Sequence, residues 1–172
     1  MVIGMVPILA LAHTCAPQVA PSTVAAIVRV ESKGDPLALH DNTTGVSTVA
    51  ASIRDAERIL SRWIRQRHSV DAGLMQINTL NFARYGVTAA SVFDPCVNIR
   101  TGGKILEKAW RLALAEGYRG QAALNHAIQA YNSGSLFGAP AYAVRVWAAA
   151  GIDGVPGDLP PRWRFSVPWS PK

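Results

Sequence analysis

Glu31 is the side chain whose position in the sequence asks for chemistry. It follows Val24 by seven residues, Ile27 by four and Val28 by three, so a helix through this segment turns it toward the core with them. Ser32-Lys33-Gly34-Asp35-Pro36 follows and ends that helix, which places Glu31 in its last turn. Partial burial and the negative end of the helix dipole both disfavour the carboxylate anion. A carboxyl treated this way keeps its proton near neutrality, as a general acid must. The alternative is a surface glutamate at a frayed helix end, paired to Lys33 or Arg29.

Two further segments carry polar groups suited to a carbohydrate. Gly73-Leu74-Met75-Gln76-Ile77-Asn78 combines a glycine that allows close approach, two apolar side chains and two amides. In a strand, Gln76 and Asn78 point the same way, as a sugar-binding wall needs; a buried hairpin with satisfied amides is the competing reading. Ala130-Tyr131-Asn132-Ser133-Gly134 closes a helix with an aromatic and an amide. Asp35, Asp41 and Asp71 are the available second carboxylates, and nothing in the sequence selects among them.

Other chemistries are poorly served. No HExxH, GxGxxG, GxSxG or phosphate-binding loop occurs, the four histidines are scattered, and Thr101-Gly102-Gly103-Lys104 lacks the upstream glycine of a phosphate loop. No cofactor and no metal are expected.

The elements that must position these residues are mostly helices. Pro21-Ser22-Thr23 opens the helix that carries Glu31. Ser47–His68 places Val49, Ile53, Ala56, Leu60, Trp63 and Ile64 at helical spacing. Asn98–Glu116 does the same with Ile99, Leu106, Trp110 and Ala113, and Gly117 ends it. Gln121–Asn132 and Ala139–Ala150 are two more amphipathic segments, and Thr88–Phe93 reads as a short extra turn. His40–Gly45 and Val70–Asn78 break the helical period and predict a small sheet or an ordered loop between helices. The expected fold is mainly α, a single-core α+β domain.

With 172 residues, 49% of them apolar and 16% charged, the chain has material for one domain core and is not a charged disordered tail. A net charge of +6 favours polyanions without choosing among nucleic acid, anionic lipid and an acidic wall polymer. Arg54, Arg58, Arg62, Arg65 and Arg67 lie opposite an apolar stripe and read as a solvated face rather than a nucleic-acid surface. Residues 1–14 form an apolar segment too short to span a bilayer. Ala10-Leu11-Ala12 resembles a signal-cleavage site, yet no basic residue precedes it, so a signal remnant and a buried first element both remain open. Residues 151–172 hold five of the eleven prolines and read as an extended tail, with Trp163, Phe165 and Trp169 as docking points for a partner or for the domain itself. Cys15 and Cys96, the only cysteines, are buried thiols in a reducing compartment. In an oxidising one they form a staple, contributing about 4 kcal/mol by chain entropy.

Taken in order, VRVESKGDP (28–36), HDNTTG (40–45), HSVDAGLMQIN (68–78), FDPCVNIRTGGKIL (93–106), AIQAYNSG (127–134) and YAVRV (142–146) resemble the soluble-type lytic transglycosylases. The likeness runs over residues 15–150 and is closest to the peptidoglycan-cleaving component of bacterial type IV secretion systems. It implies a lysozyme-like domain with its small sheet beside the active-site groove, and a periplasmic location. It also implies peptidoglycan glycan strands as substrate and other secretion-system components as partners, with no nucleic acid and no stable membrane span. By this resemblance Glu31 is the sole catalytic acid/base. Ser32, Ser69, Met75, Gln76, Asn78, Tyr131, Asn132 and Tyr142 line or support the glycan site, and Cys15 pairs with Cys96. A hydrolytic muramidase and a non-catalytic glycan-binding assembly module are the alternatives.

Overall fold

The computed structural model describes residues 2–152. Helix α1 (Met5–Cys15) takes up most of the apolar N-terminal segment and turns Ile8, Ala12 and Cys15 into the core. Just before it, the Ile3 N–H donates to the Gly34 carbonyl at 2.8 Å, which ties this end of the chain to the turn beyond Glu31. Helix α2 (Pro21–Glu31) begins on a proline whose fixed φ suits the first turn, buries Val24, Ile27 and Val28, and stops at Glu31. Lys33 and Gly34 then take positive φ and reverse the chain.

The two stretches without helical period form one antiparallel sheet. Its strands are β1 (Ala38–Asp41), β2 (Val46–Val49), β3 (Val70–Ala72) and β4 (Ile77–Asn78), in the order β2-β1-β3-β4. Asp71 of β3 stands opposite His40 of β1 and Asn78 of β4. The turn between β1 and β2 is built around Asp41, whose carboxylate accepts from the Thr43 and Thr44 backbone N–H groups, the Thr44 hydroxyl and His68 Nδ1. Burial alone would raise this carboxyl, but the donors outweigh it and hold it down to about 2.

Helix α3 (Ile53–Arg65) is shorter than the apolar spacing suggests. Residues 47–49, expected as its first turn, belong to β2, where the β-branched run Val-Ser-Thr-Val pairs with β1. Val49 and Ile53 are accordingly 56% and 55% exposed, while Ala56, Leu60 and Trp63 carry the buried stripe. Ser52 caps the helix by accepting the Asp55 N–H. Arg54, Arg58, Arg62, Arg65 and Arg67 are all exposed.

A 3₁₀ turn at Thr79–Asn81 and the one-turn helix α4 (Phe82–Tyr85) follow the sheet; neither was anticipated. Helix α5 (Pro95–Ala115) starts three residues before the expected Asn98, because Asp94 accepts the Val97 N–H as its cap and Pro95 fills the first position. It crosses the middle of the domain against α6 (Gly120–Ser133), and α7 (Pro140–Ala149) packs on α2. Gly102 and Gly103 lie inside α5 because neighbours approach too closely for a side chain: a Cβ would run into Met75 at the first and Ala16 at the second. A disulfide joins Cys15, at the end of α1, to Cys96, in the first turn of α5, with the Cα atoms 5.3 Å apart. Among the described residues no helix is long and apolar enough to cross a membrane. Gly151 and Ile152 aside, the proline-rich tail with Trp163, Phe165 and Trp169 lies outside the described residues.

Candidate active site

A groove of about 690 Å³ opens between the end of α2 and the face of the sheet. Glu31, Ser32 and Lys33 line one wall; His40, Ser47, Thr48 and Asp71 from the strands and Asn42 from the β1–β2 turn line the other, together with Gln76 and Asn132. Glu31 reaches it as the last residue of α2, with its Oε1 accepting from the Tyr142 hydroxyl of α7 at 2.5 Å. Burial raises the Glu31 carboxyl most, and the negative charge of Asp71 adds to this. The Tyr142 hydrogen bond and the Arg145 guanidinium pull the other way, and the balance leaves it at about 7. Burial and the neighbouring Glu31 both push Tyr142 upward, so it remains a hydroxyl donor. Arg145 in turn sits over the Tyr142 ring, 5.6 Å from its centroid.

The Gly73–Gln76 turn meets the groove at Gln76, and its conformation differs from the expected strand. Gly73 has φ +81° and Gln76 φ +46°, so the chain folds tightly between β3 and β4 and the alternation breaks. Met75 consequently points into the core with no exposure, against Gly102, and is not a wall of the groove. What Met75 contributes is its carbonyl, which accepts the Tyr131 hydroxyl at 2.7 Å. Gln76 does line the groove, with its amide nitrogen donating to the Ala38 and Gly73 carbonyls. Ser32 is buried, and its hydroxyl donates to the Leu74 carbonyl at 2.8 Å, so it latches α2 to the turn. Ser69 and Asn78 stand together behind Asp71: Asn78 Nδ2 reaches Ser69 Oγ at 2.9 Å and Asp71 Oδ1 at 2.7 Å. Asn132 is exposed on the groove at the end of α6.

Asn98 is the organising residue that sequence reading missed. Buried in α5, it accepts the Met75 N–H at 2.7 Å and donates to the Ala72 and Val92 carbonyls at 2.9 and 2.8 Å. It lies in the 93–106 segment and opens the apolar run of Asn98–Glu116, but nothing in that run marks it as a partner of the Gly73–Gln76 turn. Asn42 and His40 belong to a segment that read as a turn, with no signal that they face the acid. Of the three candidate aspartates, Asp35 accepts the Leu37 N–H and Asp41 is taken up by its turn, which leaves Asp71 on the groove. Among the described residues no group of three metal-ligating side chains occurs.

A glutamate raised to about 7 at a helix end, facing a polar cleft beside a small sheet in an otherwise helical domain, is a lysozyme-like arrangement. The transglycosylase SLT domain family model matches residues 9–141, and the chain belongs to that family. Protein virB1 of Agrobacterium fabrum (strain C58) is 42% identical over 125 residues, which cover 73% of this chain and 51% of the relative. Type IV secretion system protein virB1 of Brucella abortus biovar 1 (strain 9-941) is 36% identical over 156 residues, covering 86% of this chain and 66% of the relative. The chain thus spans about half the length of the first of these relatives and two thirds of the second. No solved structure matches.

Proposed function

We propose that this protein is a peptidoglycan lytic transglycosylase that opens the cell wall locally for assembly of a type IV secretion system. The observation that carries the reading is the Glu31 carboxyl, held at about 7 on the wall of the groove and bonded to Tyr142. At neutral pH a substantial fraction of this group carries a proton. It delivers that proton to the glycosidic oxygen between N-acetylmuramic acid and N-acetylglucosamine as the C1–O4 bond breaks. The resulting carboxylate then takes the proton of the muramic C6 hydroxyl, whose oxygen bonds to C1 and leaves a 1,6-anhydro end. The nucleophile belongs to the substrate, so its effective concentration is high and no protein nucleophile is required.

The name of the Brucella relative supports the assignment to type IV secretion, and membership of the transglycosylase SLT domain family supports the reaction. That role belongs to the cell envelope, and the disulfide suits an oxidising space such as the periplasm. A net charge of +6 suits anionic wall polymers and would speed encounter with them.

Hydrolysis is the second reading, favoured by one observation: Asp71 shares the groove with Glu31. Mass spectrometry of digested sacculi separates the two. Muropeptides with 1,6-anhydro ends are the expected product, and reducing ends throughout would make the protein a muramidase. Sacculi left intact by the folded protein would refute both.

A further inference from the structure

A second cavity, of about 490 Å³, borders the groove at Lys33, which lines both, and the reaction just described makes no use of it. One wall is apolar, formed by Val2, Ile3 and Met5 at the start of α1; the other is the end of α2 and its turn, with Arg29, Lys33 and Gly34. The two walls are fastened together, since the Ile3 N–H donates to the Gly34 carbonyl at 2.8 Å. Lys33 is held between the two openings at φ +56°, a left-handed conformation that lysine takes up at a cost. Arg29 and Lys33 are exposed, and neither has an acidic partner among the described residues. No acidic side chain lines the cavity among those residues either. Two unpaired cations four residues apart, facing an apolar wall, suit carboxylates carried on short apolar groups.

We propose that this cavity receives the acidic peptide carried by N-acetylmuramic acid, with Arg29 and Lys33 taking its free carboxylates and Val2, Ile3 and Met5 its short apolar side chains. The inference rests on the transglycosylase reading and deepens it. That peptide hangs from the lactyl group of the sugar whose C1–O4 bond Glu31 cleaves, so a site for it has to adjoin the groove. Lys33 follows Glu31 by two residues and joins the two spaces. The cavity therefore selects peptide-bearing glycan and acts on binding, while the chemistry stays with Glu31.

The test compares soluble peptide-bearing glycan chains with the same chains whose carboxylates have been converted to amides. The full-length parent should show a lower KM for the acidic chains. Arg29→Gln should raise that KM about fivefold, leave kcat unchanged and leave the KM for amidated chains unmoved. Arg29→Lys should restore most of the difference, and raised salt should erase it. A parent that treats both substrates alike overturns the proposal. So does an Arg29→Gln protein that weakens both equally, or one whose kcat falls while KM stays put. Loss of binding to phosphatidylglycerol vesicles in Arg29→Gln, with unchanged kinetics, would give the cavity to a lipid headgroup instead. If Arg29→Gln does not fold, Lys33→Gln is judged by the same ratio of KM values. Failure of the transglycosylase reading is seen separately, in the parent's products. Binding of the two substrates to the Glu31→Gln protein needs no turnover, and equal affinities there would overturn the peptide site whatever the reaction.

Discussion

Glu31→Gln separates the charge of the site from its shape, and its effect on stability follows from the burial of the acid. The carboxyl titrates near 4.5 when solvated and near 7 in the folded protein. The folded state therefore holds a proton that the unfolded chain has already released. The stability this supplies is complete below about pH 4.5 and is lost as pH rises toward 7 and beyond. Integrated across that window, the loss is about 3 kcal/mol at pH 7. Glutamine has the same shape, its amide oxygen can still accept from Tyr142, and it never ionises. The variant should melt with the parent at pH 4. At pH 8 it should be more stable by up to about 3 kcal/mol, or roughly 6–12 °C for a domain of this size. All other titrating groups are common to both proteins, so the difference between the two melting curves isolates Glu31. Sacculus cleavage should fall about 10³-fold in the same variant. Parallel melting curves from pH 4 to 8 would show that Glu31 ionises like a solvated carboxyl, and the acid role would fall with that result.

Tyr142→Phe removes a donor that favours the Glu31 carboxylate, so the alkaline limb of the pH–rate profile should move to higher pH while activity at pH 5 changes little. Asn98→Ala leaves the Met75 N–H and two carbonyls without their partner in the core; a loss of about 3 kcal/mol in urea unfolding and a slower enzyme even when folded are expected. Reducing the Cys15–Cys96 bond, or replacing both residues by serine, should lower stability by roughly 4 kcal/mol without moving the pH–rate profile, because the bond joins α1 to α5 away from the groove.

The part of the site carried by local pattern could be read from the sequence. The stripe of Val24, Ile27 and Val28 and the breaker at Gly34-Asp35-Pro36 place Glu31 in a last helical turn, and leave open a surface glutamate paired to Lys33 or Arg29; the bond from Tyr142 and the burial of the carboxyl decide for the inward one. The part carried by backbone conformation could not. Gln76 sits at φ +46°, which nothing in a Leu-Met-Gln-Ile run announces, and together with Gly73 it closes the turn that puts Met75 in the core rather than on the groove. The apolar spacing of Val49 and Ile53 fits a helix, yet the strand partner at Ala38–Asp41 claims residues 46–49, a long-range fact that local period does not contain. Asp71, Asp41 and Asp35 are alike in sequence. They separate only when the structure shows which donors surround each one.

The conformation of the Gly73–Gln76 turn bears on catalysis. The Gly73–Gln76 turn holds two residues in left-handed conformations and would be a poor structure alone. Three helices fasten its backbone: Ser32 at the end of α2 bonds the Leu74 carbonyl, Asn98 of α5 takes the Met75 N–H, and Tyr131 of α6 bonds the Met75 carbonyl. The blocks around Glu31-Ser32, Gly73–Asn78 and Tyr131-Asn132 therefore meet because each supplies or receives one of these ties. Ser32, which also lines the groove, and Tyr131 fasten the backbone of the turn that carries Gln76. A turn fixed in advance holds Gln76 in place on the groove without reorganising when substrate enters. Loosening a tie should then cost turnover more than it costs binding.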